Sequence, residues 1–307
     1  MKYFLILLLP ILAACSRSTS TSDEFWGHRY SLAKNISYGV EKEQVLDIFS
    51  QGEWIGEPYY WKSDTVKHPT LVYIHGGGWL GGSKEGVIPF VIPYLEKGFN
   101  VVLLDYRTGE NTAPQAVDDC MLALKWISRH ANDFNINLQQ IYISGESAGG
   151  HLALITGLLN TIPGSHQAYS GDSITIRTII NWFGITDIAA IDRYFAGKGE
   201  IRNYASVWVG HAERMDSISK IFSPIHRLGA NSPPVISIHG QKDSVVPHEQ
   251  ALLLHKLLNE KGVRNKVISL PDGKHLGFSA RDFEQIYKEI FTFLESYDPT
   301  ISQATKH

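Results

Sequence analysis

The 307-residue sequence predicts an α/β fold in which a mostly parallel central sheet carries helices on both faces. Three observations predict it. From about Ser37 onward, short β-rich runs alternate with helical patterns. Most of those β-rich runs are near-continuously apolar, as strands covered on both faces are. The segments between them place apolar residues at i, i+3 and i+4, the spacing of a one-faced helix. Such alternation argues for strand–helix–strand units. No repeat and no second boundary interrupts it, so residues 37–297 read as one domain, a size within the range of a single large α/β domain.

The N-terminal segment carries separate information. Lys2 precedes an apolar run from Tyr3 to Ala14, too short to span a bilayer at roughly 20 residues per helix. A charged start, an apolar middle and the small residues of Leu12-Ala13-Ala14-Cys15 read as a secretory signal over residues 1–14. A plain signal with an incidental cysteine, or a short buried helix, are the alternatives. The tetrapeptide resembles a bacterial lipoprotein signal. That resemblance implies lipidation of Cys15, export, and anchoring to a membrane by acyl chains. With Ser16 rather than Asp following, it implies the outer membrane if the cell has one. Ser-Arg-Ser-Thr-Ser-Thr-Ser then gives a flexible polar tether within residues 15–36. The one other cysteine, Cys120, lies on the apolar side of a helical pattern and reads as a small core residue.

Strands are predicted at Gln44–Phe49, Thr70–His75, Asn100–Asp105, Gln140–Ser144, Thr178–Phe183, Val235–His239 and Lys266–Leu270. Helices are predicted at Pro114–His130, where Val117, Cys120, Met121, Leu124 and Ile127 form the apolar stripe, and at Gly149–Leu159, Glu249–Lys261 and Arg281–Tyr297. Residues 298–307 are left as a tail. Ile188–Ile221, with Tyr194, Phe195, Tyr204 and Trp208, is either a packed excursion or a wall over a site.

Chemistry concentrates at Gly145-Glu146-Ser147-Ala148-Gly149. Alone, G-x-S-x-G arises by chance in roughly one chain in ten of this length. Here a strand runs in and a helix runs out, the setting in which this serine becomes an exposed nucleophile. The alternative is a helix start capped by a serine. A serine hydroxyl needs a base to take its proton. Among 13 histidines, His275 follows the last strand and precedes the last helix, on the sheet edge where Ser147 also emerges. His239 reads as a strand-end residue, and His248 and His255 lie on or entering a helix. The acid that fixes the imidazole tautomer is expected at Asp243, the one carboxylate directly after Val235–His239. Asp187 is its rival, and Asp272 stands too near His275 in sequence.

The stretch His75-Gly76-Gly77-Gly78-Trp79-Leu80-Gly81-Gly82-Ser83-Lys84 exposes backbone amides that could hold an anion. A phosphate loop requires lysine directly after glycine, and Ser83 intervenes. A dinucleotide fingerprint lacks its acidic residue and glycine spacing. What fits is an oxyanion hole, with N–H donors from Gly77, Gly78 and Ala148, and with His75 holding the loop. With 28 basic and 31 acidic residues, no basic face points to nucleic acid as a partner.

Together, "LVYIHGGGW", "VVLLDYR", "ISGESAGGHLAL", "PPVISIHGQKDSVVP" and "GKHLGF" resemble an α/β-hydrolase of the hormone-sensitive-lipase and carboxylesterase kind. "YGVEKEQVLDIF" and the Ser-Pro-Pro before the acid strand are most similar to its bifunctional acetylxylan and feruloyl esterases. The resemblance implies the α/β-hydrolase fold, the nucleophile at Ser147, the acid at Asp243, the base at His275, and donors at Gly77, Gly78 and Ala148. It implies a carboxylic ester hydrolase working through an acyl-enzyme, with no metal and no cofactor. Its substrates would be short-chain acyl esters, among them acetyl or feruloyl esters of plant polysaccharide. Trp79, Tyr106, Trp182 and the aromatics of 194–208 could line an acyl or sugar surface or pack the core. An amide hydrolase of the aryl formamidase kind would use the same residues. A silent binding protein on this fold would not need to keep all three. Where the family has Leu-Ala-Pro-Glu, this chain has Thr108-Gly109-Glu110-Asn111, so that loop is expected to differ. The short N-terminal segment predicts an open pocket. Oligomeric state is not legible.

Overall fold

A computed structural model describes residues 30–54, 61–63, 66–161, 174–199, 202–298 and 301. The signal segment 1–14, Cys15 and the tether as far as residue 29 lie outside the described residues, as do 299–300 and 302–307 of the expected tail. The strands are β1 Tyr30–Ser37, β2 Val45–Trp54, β3 Trp61–Ser63, β4 His68–Ile74, β5 Asn100–Leu104, β6 Ile136–Glu146, β7 Ile176–Trp182, β8 Val235–Gly240 and β9 Asn265–Leu270. The helices are α1 Ile88–Glu96, α2 Ala113–His130, α3 Ala148–Leu159, α4 Ile188–Ala196, α5 Tyr204–Val209, α6 Met215–Phe222, α7 Glu249–Glu260 and α8 Ala280–Glu295. Among the described residues, no helix is long and apolar enough to cross a membrane.

The sheet runs β1-β2-β5-β4-β6-β7-β8-β9, with β3 paired to the far end of β2. β1, β2 and β5 pair antiparallel, and every pair from β5 to β9 is parallel. Both faces are covered, and the pleat distributes each strand between them. In β4, Val72 and Ile74 join the layer that contains Val117 and Leu124 of α2 and Leu152 of α3. Leu71 and Tyr73 join the opposite layer with Val91 of α1 and Ile286, Ile290 and Leu294 of α8. Each fully buried aliphatic side chain here stabilises the fold by roughly 2 kcal/mol. Cys120 is buried in the first layer, as its place on the helix predicts.

Register is what positions the site. Ile74 pairs with Leu104 and Gly145, Glu146 with Trp182, Trp182 with Ile238, and His239 with Ser269. The loops that follow β4, β6, β7, β8 and β9 therefore leave along a single rim of the sheet.

Two expectations are corrected and one helix is added. The tether does not extend to residue 36, because Tyr30–Ser37 pairs with Val45–Gln51. Its alternately exposed residues lack the apolar run that marks the inner strands. The helix Ile88–Glu96 was not foreseen. Prolines at 89 and 93 disguise its pattern, but it buries Val91, Tyr94 and Leu95. Asp298, placed in the tail, is instead buried, accepting a hydrogen bond from the Tyr142 hydroxyl at 2.9 Å and pairing with Arg177. Within 188–221 the described residues form α4, α5 and most of α6, with Ile191, Phe195 and Tyr204 at the cleft.

Candidate active site

Ser147 stands between β6 and α3 at φ 55° and ψ −120°. An L-residue there is strained by about 1–3 kcal/mol, a cost concentrated at functional sites. The turn is possible only because its flanks lack side chains. A Cβ on Gly149 would lie 2.1 Å from the Ile74 carbonyl oxygen, and one on Gly145 would lie 2.5 Å from both the Ile74 and Gly149 oxygens. Ser147 N–H donates to the Trp182 carbonyl at 2.9 Å, fastening the elbow to β7.

The two other predicted side chains meet this serine. The Ser147 hydroxyl donates to His275 Nε2 at 2.9 Å, and His275 Nδ1–H donates to Asp243 Oδ2 at 2.7 Å. Asp243 sits in the turn after β8, where its Oδ1 accepts the N–H of Val245 at 2.8 Å and of Val246 at 2.9 Å. Burial works to raise its pKa. Hydrogen bonds from His239, His275 and the Val246 N–H outweigh that and hold the carboxyl well below the usual range. His275 is seated against Phe183, ring centroids 4.8 Å apart and edge-on.

The rivals have other work. Asp187 caps α4, accepting the Ala190 N–H at 3.0 Å, and Asp272 pairs on the surface with Lys242. His239 is buried behind the acid, donating from Nε2 to the Val246 carbonyl at 2.8 Å and lying 3.4 Å from Asp243 Oδ2. His248 bonds Ser269 and His255 bonds Asn265.

The glycine loop follows β4. Gly77, Gly78 and Trp79 have φ of 110°, 62° and 60°, and a Cβ on Gly77 would lie 2.2 Å from the Gly81 carbonyl oxygen. Gly77 and Gly78 line the cleft beside Ser147. Ala148 opens α3 directly behind the nucleophile. The N–H groups of these three residues bond no described residue. His75 lies underneath, Nδ1–H donating to the Gly76 carbonyl at 2.7 Å, its ring stacked 4.5 Å from Tyr106. Lys84 is not among the residues that line the cleft. Its ammonium is buried, 3.6 Å from Asp47, 3.5 Å from Asp105 and 2.7 Å from Glu85.

The cleft above Ser147 encloses about 420 Å³. Phe183, Ile185, Ile191, Phe195, Tyr204 and Leu276 form much of its apolar wall. Tyr106 and Trp182, which could have lined a surface or packed the core, are core side chains. Trp79 is buried too, stacked 4.4 Å from Trp208, with its Nε1–H donating to His151 Nδ1 at 3.2 Å. His151 in turn donates from Nε2 to the Phe222 carbonyl at 3.0 Å, and burial pushes its pKa down to about 4.

Glu146 was not singled out by sequence, although it occupies the variable position before the nucleophile. Its Oε1 accepts the Gly76 N–H at 2.6 Å, and its Oε2 is enclosed with no close hydrogen-bond partner among the described residues. Burial lifts its pKa to about 7, against the opposing pull of the Gly76 N–H.

A sequence model of the BD-FAE family matches residues 58–258, more than half of the chain. Esterase LipC of Mycobacterium tuberculosis is 27% identical over 229 residues, covering 73% of this chain and 54% of that protein. The chain thus spans about half the length of the curated relatives it matches. Among solved structures, a bifunctional GH43-CE protein of Bacteroides eggerthii is 25% identical with a TM-score of 0.68, covering 85% of this chain and 38% of that one. A truncated carbohydrate esterase from gut microbiota shares the fold, with a TM-score of 0.71 at 23% identity over 87% of this chain and 98% of that one.

Proposed function

The chain belongs to the BD-FAE family of α/β-hydrolase esterases, and from that premise we propose that it is a serine carboxylic ester hydrolase working through an acyl-enzyme. The observation that carries the reading is the unbroken relay from Ser147 through His275 to Asp243, at 2.9 and 2.7 Å, opening on an apolar cleft. Ser147 Oγ attacks the ester carbonyl carbon while His275 Nε2 takes its proton. Asp243 keeps the proton on Nδ1 and stabilises the imidazolium. The carbonyl oxygen becomes an alkoxide, which the N–H groups of Gly77, Gly78 and Ala148 receive. One such donor is typically worth about 3–4 kcal/mol of barrier. His275 then returns its proton to the leaving alkoxide oxygen, and water activated by the same imidazole releases the acid.

Short-chain acyl esters are the proposed substrates, acetyl and feruloyl esters of plant polysaccharide among them. The small cleft supports the first, and the resemblance of Tyr38–Phe49 and Ser232-Pro233-Pro234 to acetylxylan and feruloyl esterases supports the second. A fluorophosphonate probe tests the nucleophile: it labels Ser147 in the wild type and labels His275→Ala far more slowly. A stable adduct on another residue, or none, overturns the reading.

We also propose export and lipid anchoring through Cys15, on the strength of Leu12-Ala13-Ala14-Cys15 and the polar stretch after it. Ser16 favours the outer membrane. Replacement Cys15→Ser should release the protein into the soluble fraction, and persistence in the membrane fraction would refute anchoring.

A further inference from the structure

The wall of the cleft has two origins. Phe183, Ile185, Val245, Val246 and Leu276 come from loops that end the sheet strands, whereas Ile191, Phe195 and Tyr204 come from the excursion between β7 and β8. The excursion is fastened at both ends of the site. On one side Trp208 stacks on Trp79, and Asn111 N–H donates to the Val207 carbonyl at 3.0 Å. On the other, the Tyr194 hydroxyl and the Lys198 ammonium both donate to the Ser244 carbonyl at 2.9 Å, beside the acid. Asn203 ties α5 to α4 through Asp192 and caps α5 at the Ser206 N–H. A wall held this way sets a fixed clearance.

Tyr204 occupies a particular place in it. A Cβ on Gly78 would lie 2.9 Å from Tyr204 Cδ1 and 3.1 Å from its Cγ, so the ring root rests on the backbone of a proposed oxyanion donor. Phe195 braces the ring edge-on at 5.7 Å. The Tyr204 hydroxyl has no hydrogen-bond partner among the described residues. Four groups radiate from the tetrahedral carbon during reaction. Its oxyanion faces the glycine donors, and its alkoxy oxygen must face His275 to be protonated. With the alcohol leaving on the His275 side of the cleft, the inference sets the acyl substituent against the wall that Tyr204 supplies.

We infer that Tyr204 is the specificity-determining residue for acyl length: its ring, wedged between Gly78 and Phe195, blocks acyl chains that outgrow the cleft. The inference rests on the ester-hydrolase reading and deepens it. Nitrophenyl esters from acetate to octanoate, with a second series of acetates of different alcohols, test it on the wild type, Tyr204→Ala, Tyr204→Phe and Tyr204→Trp. Opening a hydrophobic pocket by a few methylenes typically changes discrimination by about tenfold or more. Tyr204→Ala should therefore raise the octanoate-to-acetate ratio of kcat/KM by about tenfold or more. Tyr204→Phe should keep the wild-type ratio and Tyr204→Trp should lower it, with the ordering of the alcohol series unaltered. An unchanged acyl ratio in both Tyr204→Ala and Tyr204→Trp, while acetate is still hydrolysed, overturns the inference and leaves the ester reading intact. A shift in Tyr204→Phe equal to that in Tyr204→Ala overturns it as well, because the hydroxyl and not the ring would then select. Should Tyr204→Ala fold poorly, the Trp variant decides. Wild type inert toward every ester would instead overturn the ester reading, and the inference with it.

Discussion

Glu146 and Gly76 lie 70 positions apart in the chain, and the carboxylate of one accepts the N–H of the other at 2.6 Å. The residue before the nucleophile is thereby fixed to the residue before the donor glycines. Elbow and oxyanion loop meet through this bond and through backbone contact, since a Cβ on Gly76 would lie 2.7 Å from the Glu146 carbonyl oxygen.

The buried Glu146 carboxyl has a pH signature. Burial lifts the Glu146 pKa from 4.5 to about 7. Between those values the native state holds a proton that the unfolded chain has lost. Its contribution to stability is complete below about 4.5 and disappears as pH rises through 7. Replacement Glu146→Gln should gain on the wild type by up to roughly 3 kcal/mol between pH 4.5 and 7.5, read from urea midpoints. A difference that does not change with pH would contradict the assignment.

His151 titrates in the opposite sense. Enclosed between Trp79 and Phe222, its pKa falls from 6.5 to about 4. The unfolded chain takes up a proton that the native state refuses, so stability is complete above 6.5 and is lost as pH drops toward 4. Removing this titration with His151→Gln should leave the Glu146 slope unopposed, so that stability falls as pH rises from 4.5 to 7. Because Glu146 and His151 oppose each other over the same interval, each single variant should show a steeper pH dependence in the direction of the group it retains. Parallel profiles for the two variants would refute the pair of assignments.

Asp243 should separate function from folding. Replacing it with Asn keeps the shape but permits the wrong histidine tautomer, at a cost in kcat of about 10⁴-fold in triads of this kind. Its carboxyl is held below the usual range, so it stabilises the native state above about pH 4 and loses that contribution only in stronger acid. Steady-state kinetics at pH 7.5 with a circular dichroism control would check this. A loss below tenfold would place the acid elsewhere.

Two neighbouring glycines should differ sharply. Gly77→Ala forces a side chain onto a φ of 110° and into the Gly81 carbonyl, displacing a donor and lowering kcat by about 10²–10³-fold. A Cβ on Gly81 meets no atom within 4 Å, so Gly81→Ala should change stability by no more than about 0.5 kcal/mol. Equal effects of the two on kcat would argue against a backbone oxyanion hole.

Much of this site could be read from the chain because its signals are local. Apolar runs locate the parallel strands, glycines mark the two sharp loops, and chain order assigns Ser147, Asp243 and His275. The edge strand Tyr30–Ser37 escaped because half of its residues face solvent, giving no apolar run. The pairing of Glu146 with Gly76, the seat of His275 on Phe183 and the overhang of Tyr204 on Gly78 escaped for another reason. Each joins segments distant in sequence, and only the register of the sheet brings them together.

The central claim is that Ser147 carries the acyl group, and hydrolysis of nitrophenyl acetate by wild type and Ser147→Ala tests it most directly. The account predicts turnover by the wild type with an initial burst, and a fall of at least about a thousandfold in kcat in the variant, with no burst. Equal rates from the two proteins, each no faster than buffer, would contradict it.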